Sequence, residues 1–176
     1  MLGLKKGILK LVPFSEEWLE LYQVEKKTVR KSLGRVVDDI QHVGSTSLAV
    51  EGMIAKPILD IAVRVGDLSS VELSIPKMVA IGYTYRGEQG IAGRHLFAKG
   101  DPVTIHLHMM LPDCSNWENQ LYFRDYLLEH PEKAKAYAAL KKRLFLQHAN
   151  DRRAYMDAKG TFIQQMLSEA RKVYEQ

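Results

Sequence analysis

A single acid, Asp60, stands inside the apolar run "ILDIAV" at residues 58–63. Side chains alternate across a strand, so Asp60 shares a face with Ala62 and Arg64, while Leu59, Ile61 and Val63 point the other way. One face reads as core and the other as something else. A carboxylate fixed there suits a ligand or a metal ion; an ordinary solvent face would carry it too, although strand interiors are depleted in Asp. In "VTIHLHMM", the same alternation puts Thr104, His106 and His108 on one face. If Ala98 pairs with Val103, His95 sits opposite His106 and three imidazoles gather on one surface. Neutral imidazoles with a carboxylate suit a transition-metal ion, whereas magnesium prefers oxygen ligands and keeps several waters. Histidines hydrogen-bonded at a sheet surface would show the same pattern.

A second group of residues could hold an anion. Gly44-Ser45 ends a strand, and its backbone amides with the hydroxyls of Ser45, Thr46 and Ser47 could cradle a phosphate, or form a plain turn. The stretch fits neither the P-loop nor the nucleophile elbow. Lys56 adds a point charge nearby. Arg152, Tyr155 and Lys159 are spaced three and four apart on one helix face, where the two cations could close over an anion. A solvated basic edge with Tyr155 in the core is the alternative. Cys114 has no evident base partner, so it is not expected to be a nucleophile.

These residues need elements to position them. The stretch after Pro13 predicts a helix over about 16–33, with Ser15 as cap, Phe14 and Leu19 as a hydrophobic staple, and Trp18, Leu21, Tyr22, Val29 and Leu33 on one face. "DIQHVG" and "KPILDIAVRV" read as strands, and "VELSIPKMVAIG" as a helix whose proline obscures its course. "YTYR", "RHLFA" and "VTIHLHMM" read as strands, the last two joined through "KGDP" as antiparallel neighbours. From Ser115, a helix cap, three helices are expected, with Pro131 in a first turn and Asn150 or Asp151 as another cap. Tyr155, Ala158, Phe162, Met166 and Val173 mark the apolar stripe of the last.

The fold class expected from this order is α+β: a mixed β-sheet with an N-terminal helix and a C-terminal helical segment. The 176 residues, 46% hydrophobic, suffice for one domain spanning 1–176, with the sheet core at about 15–112 and the helices at about 115–175. One cysteine cannot make an internal disulfide, and the first residues lack secretory features, so the cytoplasm is the expected compartment. No apolar run approaches the ~20 residues of a membrane span. An excess of 25 basic over 21 acidic residues, +4 net, favours anionic partners without marking nucleic acid.

Five fragments together resemble the GrpB family, small bacterial proteins also found fused to dephospho-coenzyme A kinase. They are "HVGSTS" at 42–47, "AKPILDI" at 55–61, "IHLHM" at 105–109, "FRDYLLEHPEKAKAYAALKKRL" at 123–144 and "DRRAYMDAKGTFI" at 151–163. The family is similar in turn to the nucleotidyltransferase superfamily, whose core resembles that of DNA polymerase beta. There a Gly-Ser turn holds nucleotide phosphates, and paired acids on the next strand bind divalent metal. The resemblance implies a nucleotidyltransferase-like sheet with Ser45 and Asp60 as catalytic residues. It implies that His42, Gly44, Ser45, Thr46, Lys56, Arg94, Arg152, Tyr155 and Lys159 bind the substrate. The sequence departs from the pattern twice: Ala62 replaces the second acid, and "LAVEGMIA" puts more chain between turn and acid. One divalent ion, magnesium, manganese or zinc, on Asp60, His106 and His108 is the expected adaptation. Three functions are open: a nucleotidyl or phosphoryl transferase with a nucleotide or related anionic small molecule as partner, a nucleotide-binding module without catalysis, and, last, an RNA-binding protein. The acceptor and the oligomeric state are not fixed by the sequence.

Overall fold

The structure, a computed structural model, describes residues 2–5, 7–148 and 151–175, apart from the side chain of Arg152. Strand β1 (Val12–Pro13) leads into helix α1 (Glu17–Leu33). Trp18, Tyr22, Val29 and Leu33 of α1 are buried, as their helical spacing predicts. The Ser15 side chain does not cap this helix; its carbonyl instead accepts from the Trp18 amide at 3.0 Å. Phe14 fastens the entry through an edge-on contact with Trp18, ring centres 5.7 Å apart.

Strands β2 (Val37–Val43), β3 (Ile54–Ala55) and β4 (Leu59–Val65) follow, then helix α2 (Leu68–Ala80). Helix α2 starts earlier than its apolar pattern suggests because Asp67 caps it, accepting from the Ser70 amide at 2.7 Å, and it continues through Pro76. Strands β5 (Tyr83–Tyr85), β6 (Arg94–Lys99) and β7 (Ile105–Met110) complete the sheet. Its order is β2-β4-β7-β6-β5, and only β4 and β7 run parallel. Separately, β1 pairs with β3 in a two-stranded ribbon that no sequence pattern announced.

The mixed sheet, the N-terminal helix and the C-terminal helices give the expected α+β class. Among the described residues the C-terminal segment holds four helices rather than three: α3 (Asn116–Glu129), α4 (Pro131–Gln147), α5 (Arg152–Ala158) and α6 (Gly160–Tyr174). The apolar pattern runs across Lys159-Gly160, where the helix is interrupted, and Gly160 is a poor helix former. Asp151 caps α5, accepting from the Ala154 amide at 2.9 Å; Asn150 lies outside the described residues. Ser115 stands at the start of α3 without a side-chain cap bond, and Val173 is half exposed rather than part of the docked stripe.

Helices α1 and α2 cover one face of the sheet, burying Ile61, Val63, Leu107, Met109 and Phe97 with Trp18, Val29, Val71 and Met78. Each such large apolar side chain contributes roughly 1.5–3 kcal/mol. A second core joins Tyr126, Leu127, Tyr137, Ala138 and Met166 of the C-terminal helices to Leu48 and Met53. The added length between turn and Asp60 therefore supplies two anchors to the helical layer.

Glu25 ties α1 to the far edge of the sheet. Its carboxylate accepts from Lys99 Nζ and from the Tyr83 hydroxyl, both at 2.9 Å. Removing it leaves a buried phenol and an amine without their acceptor. Glu25→Ala is expected to lower stability by about 1–3 kcal/mol in urea unfolding, with the slope against urea unchanged.

Candidate functional site

Asp60 lies near the start of β4, in register with Val43 on one side and His106 on the other; Ala62 pairs with Gln41 and His108. Cross-strand partners share a face, so the carboxylate and both imidazoles project from the side of the sheet opposite α1. Asp60 Oδ1 is 3.3 Å from His108 Nε2 and 3.6 Å from His106 Nδ1. Burial pushes the Asp60 carboxyl up, but hydrogen bonds and charge from His106 and His108 outweigh it and hold the group below the usual carboxylate range.

The Gly-Ser turn closes over this carboxylate. Gly44 has φ +70° and ψ −172°, a region essentially reserved for glycine, and a Cβ there would stand 2.7 Å from Asp60 Oδ2. Residues Ser45–Ser47 then make one helical turn, with Ser47 donating to the Gly44 carbonyl at 2.7 Å. Ser45 lies close enough to the phenol of Tyr137 on α4 to offset part of the upward push of burial on that group.

Other expected residues fall elsewhere. His42 points to the α1 face, stacked on Tyr22 at 4.7 Å with Nε2 3.0 Å from Thr46 Oγ1; burial pushes it down to about 4, so it is neutral. His42 and Thr46 thus brace the turn from behind. Ala98, not His95, lies opposite His106, and His95 pairs with Met109. The hairpin register differs by three residues from that assumed, and an odd shift moves His95 to the other face, where Nδ1 meets the Tyr85 hydroxyl at 2.8 Å. Arg94 pairs with Met110 at the opposite end of β7 from His106, and its guanidinium donates to the Glu88 and Gln89 carbonyls. It is not part of this constellation. The face carrying Asp60 is also partly core: Ala62 is fully buried with Val43, Met110, Cys114 and Trp117. The position of the missing acid is therefore sealed beneath α3.

Lysines gather on the other side of Tyr137. Lys141 on α4 is only 2% exposed, its Nζ donating to the Ile54 carbonyl and standing 4.4 Å from the Tyr137 ring centre. Burial, then the charges of Lys159 and Lys56, push Lys141 down to about 7. Lys159 follows α5 and stands 5.4 Å from the ring centre of buried Tyr155. The Arg152 side chain lies outside the described residues. Arg124 on α3 holds the end of β2, donating to Gln41 Oε1 and the His42 carbonyl, both at 2.9 Å. Sequence reading missed Lys141, Tyr137 and Arg124. For the first two a signal existed: Ala134, Tyr137, Ala138, Lys141 and Leu144 recur at helical spacing, which makes Lys141 an inward residue.

The donor chemistry of Asp60, His106 and His108 is that of a transition-metal site. As the side chains stand, the carboxylate is turned onto the two rings, and among the described residues no group of three or more His, Cys, Asp or Glu is arranged to hold a metal ion. A two-metal arrangement does not fit, since Ala62 is buried.

Fold and site define an α+β domain in which a Gly-Ser turn meets a strand carboxylate beneath a lysine-bearing helical wall. The chain belongs to the GrpB family: the family model described as GrpB protein matches residues 8–169. The glutamate-rich protein GrpB of Alkalihalophilus pseudofirmus is 37% identical over 175 residues, 96% of this chain and 99% of that protein. UPF0157 protein YqkA of Bacillus subtilis is 39% identical over 159 residues, 90% of this chain; the match spans only 46% of YqkA's own length. The crystal structure of the conserved protein GrpB from Enterococcus faecalis superposes with a TM-score of 0.86 at 33% identity, covering 95% of this chain and all of that one. Among the described residues no helix is long and apolar enough to cross a membrane.

Two predictions follow from the geometry of turn and lysine. Gly44→Ala forces a strained backbone worth about 1–3 kcal/mol, expected as a fall in Tm on the order of 2–10 °C. Adding Asp60→Ala removes the atom that the new methyl would meet, so the double variant recovers part of that fall. A lysine whose folded value lies below its unfolded 10.5 penalises folding fully below about pH 7 and releases the penalty as the pH rises. Wild type is therefore expected to gain stability between pH 7 and 9.5 relative to Lys141→Met, measured by denaturant titration across that range.

Proposed function

We propose that this protein is nucleotidyltransferase-like and acts on a nucleotide or a related phosphorylated small molecule. The observation that supports the reading is the contact of the Gly44 turn with Asp60, which sets the amides of the turn directly beside a carboxylate. In this reading the phosphates rest on Gly44, Ser45 and Thr46. Lys56, Lys159 and, by sequence position, Arg152 attract the charge, and Tyr155 forms the wall beneath Lys159. Asp60, with His106 and His108, would hold one divalent ion, whose chemistry is neutralisation of phosphate charge. The chain's own part is to bring the phosphates against the turn and hold Asp60 ionised. His42 contributes by position, since its imidazole supports Thr46 from below rather than facing the ligand.

The buried Ala62 favours a second reading, a nucleotide-binding module without catalysis. Losing one carboxylate of a pair removes several kcal/mol of transition-state stabilisation in a two-metal mechanism. An RNA-binding role ranks below both, because RNA recognition calls for exposed aromatics to stack bases, and Tyr137 and Tyr155 are buried.

A thermal-shift screen over nucleotides and divalent ions tests the reading. A ligand at 100 times its Kd is expected to stabilise the fold by about 2.7 kcal/mol, and Asp60→Asn is expected to abolish any metal-dependent part. Pyrophosphate or phosphate release with a modified acceptor supports the transferase; stabilisation without product supports the binding module. If no nucleotide stabilises the protein at millimolar concentration, both nucleotide readings are wrong. Metal analysis of untagged protein, with Asp60→Ala and His106→Ala, decides the ion: equal metal content in all three excludes the site.

A further inference from the structure

Lys141 is a buried amine whose direct partners are all neutral. Its Nζ donates to the Ile54 carbonyl, lies 3.2 Å from Met53 Sδ and faces the Tyr137 ring. Among the described residues no ion pair includes it. The charges that act on it are Lys56, just after β3, and Lys159, just after α5. Tyr137 on α4 itself and Tyr155 on α5 have phenols pushed up by burial and so are neutral. Two acids of helix α3 have partners elsewhere, Asp125 in Arg124 and Glu129 in the Tyr174 hydroxyl, while Glu118 stands in the first turn of that helix. A buried ammonium with no carboxylate is costly to fold around, and two further lysines add to that cost.

Tyr137 connects this lysine to the turn. Its phenol feels Ser45, and its ring face carries Lys141. Two places that favour negative charge therefore flank one side chain. A ligand with several linked phosphates carries enough charge to serve both, whereas a single phosphate serves only one.

Resting on the reading that the Gly44-Ser45 turn takes a phosphate, we propose that Lys141 is the centre of a second anion subsite that favours a polyphosphate chain over a single phosphate and takes up a proton as the anion enters. The anion supplies the counter-charge that the fold withholds. Without it the amine is held near neutrality by burial and by its two lysine neighbours, in line with its value of about 7. Lys141 is then a binding residue retained at the expense of stability.

Calorimetry with inorganic tripolyphosphate and inorganic phosphate, in two buffers of different ionisation enthalpy near pH 8, tests this. Wild type is expected to bind tripolyphosphate at least 10-fold more tightly than phosphate and to take up more protons than Lys141→Met. That variant is expected to lose at least 10-fold in tripolyphosphate affinity, to lose much less for phosphate, and to melt no lower than wild type without ligand. Lys141→Gln serves the same comparison if the methionine variant does not fold. Unchanged tripolyphosphate affinity, or equal proton uptake in variant and wild type, overturns the proposal. A nucleoside triphosphate arm separates the two readings. Nucleotide binding indifferent to Lys141 leaves the nucleotide reading standing and sinks the subsite. Tripolyphosphate binding that depends on Lys141, with no nucleotide binding, does the reverse. No binding of either overturns both.

Discussion

The site depends on how closely the backbone at Gly44 approaches the Asp60 carboxylate. A Cβ at 2.7 Å from Oδ2 leaves no room for any other residue, and the φ of +70° would strain one even in open space. Much of the surrounding structure serves that approach. The antiparallel pairing of β2 with β4 brings Val43 opposite Asp60, Arg124 holds the preceding carbonyl, and His42 supports the turn through Thr46. On the other flank the parallel pairing of β4 with β7 brings both histidines onto the same carboxylate. The carboxylate is ionised because of those neighbours and in spite of its burial.

The two faces of the sheet divide the work. The face under α1 and α2 is apolar nearly throughout and carries most of the packing. The opposite face is apolar only where α3 covers Ala62 and Met110, and polar where Asp60, His106 and His108 emerge beside the helical layer. This division sets Asp60 at the border of a small apolar cluster, in which Ala62 packs with Val43, Met110, Cys114 and Trp117.

The period-two pattern made the faces of β4 and β7 legible, and so the company of Asp60 with His106 and His108. What pattern could not supply was register. The loop between β6 and β7 is longer than "KGDP" suggested, Lys99 pairing with Ile105, and that difference alone carried His95 to the far side. Lys141 escaped notice for a different reason. Its neighbours Lys142 and Arg143 set it in the basic stretch "LKKRL", where helical phase alone separates the first lysine from the two cations that follow it. The ribbon of β1 and β3 is built from two residues per strand, too few for any periodicity to register.

Leu48 and Met53 lie between the turn and Asp60 in the chain, yet their side chains belong to the helical core, fully or almost fully buried. The sheet thus lends two of its own connecting residues to the layer above, and that layer returns Tyr137 and Lys141 to the site. A cut after β7 would strip the cover from these apolar anchors and take Tyr137 and Lys141 away with it. The C-terminal helices are a wall of the same folding unit, and the turn over Asp60 has that wall as part of its foundation.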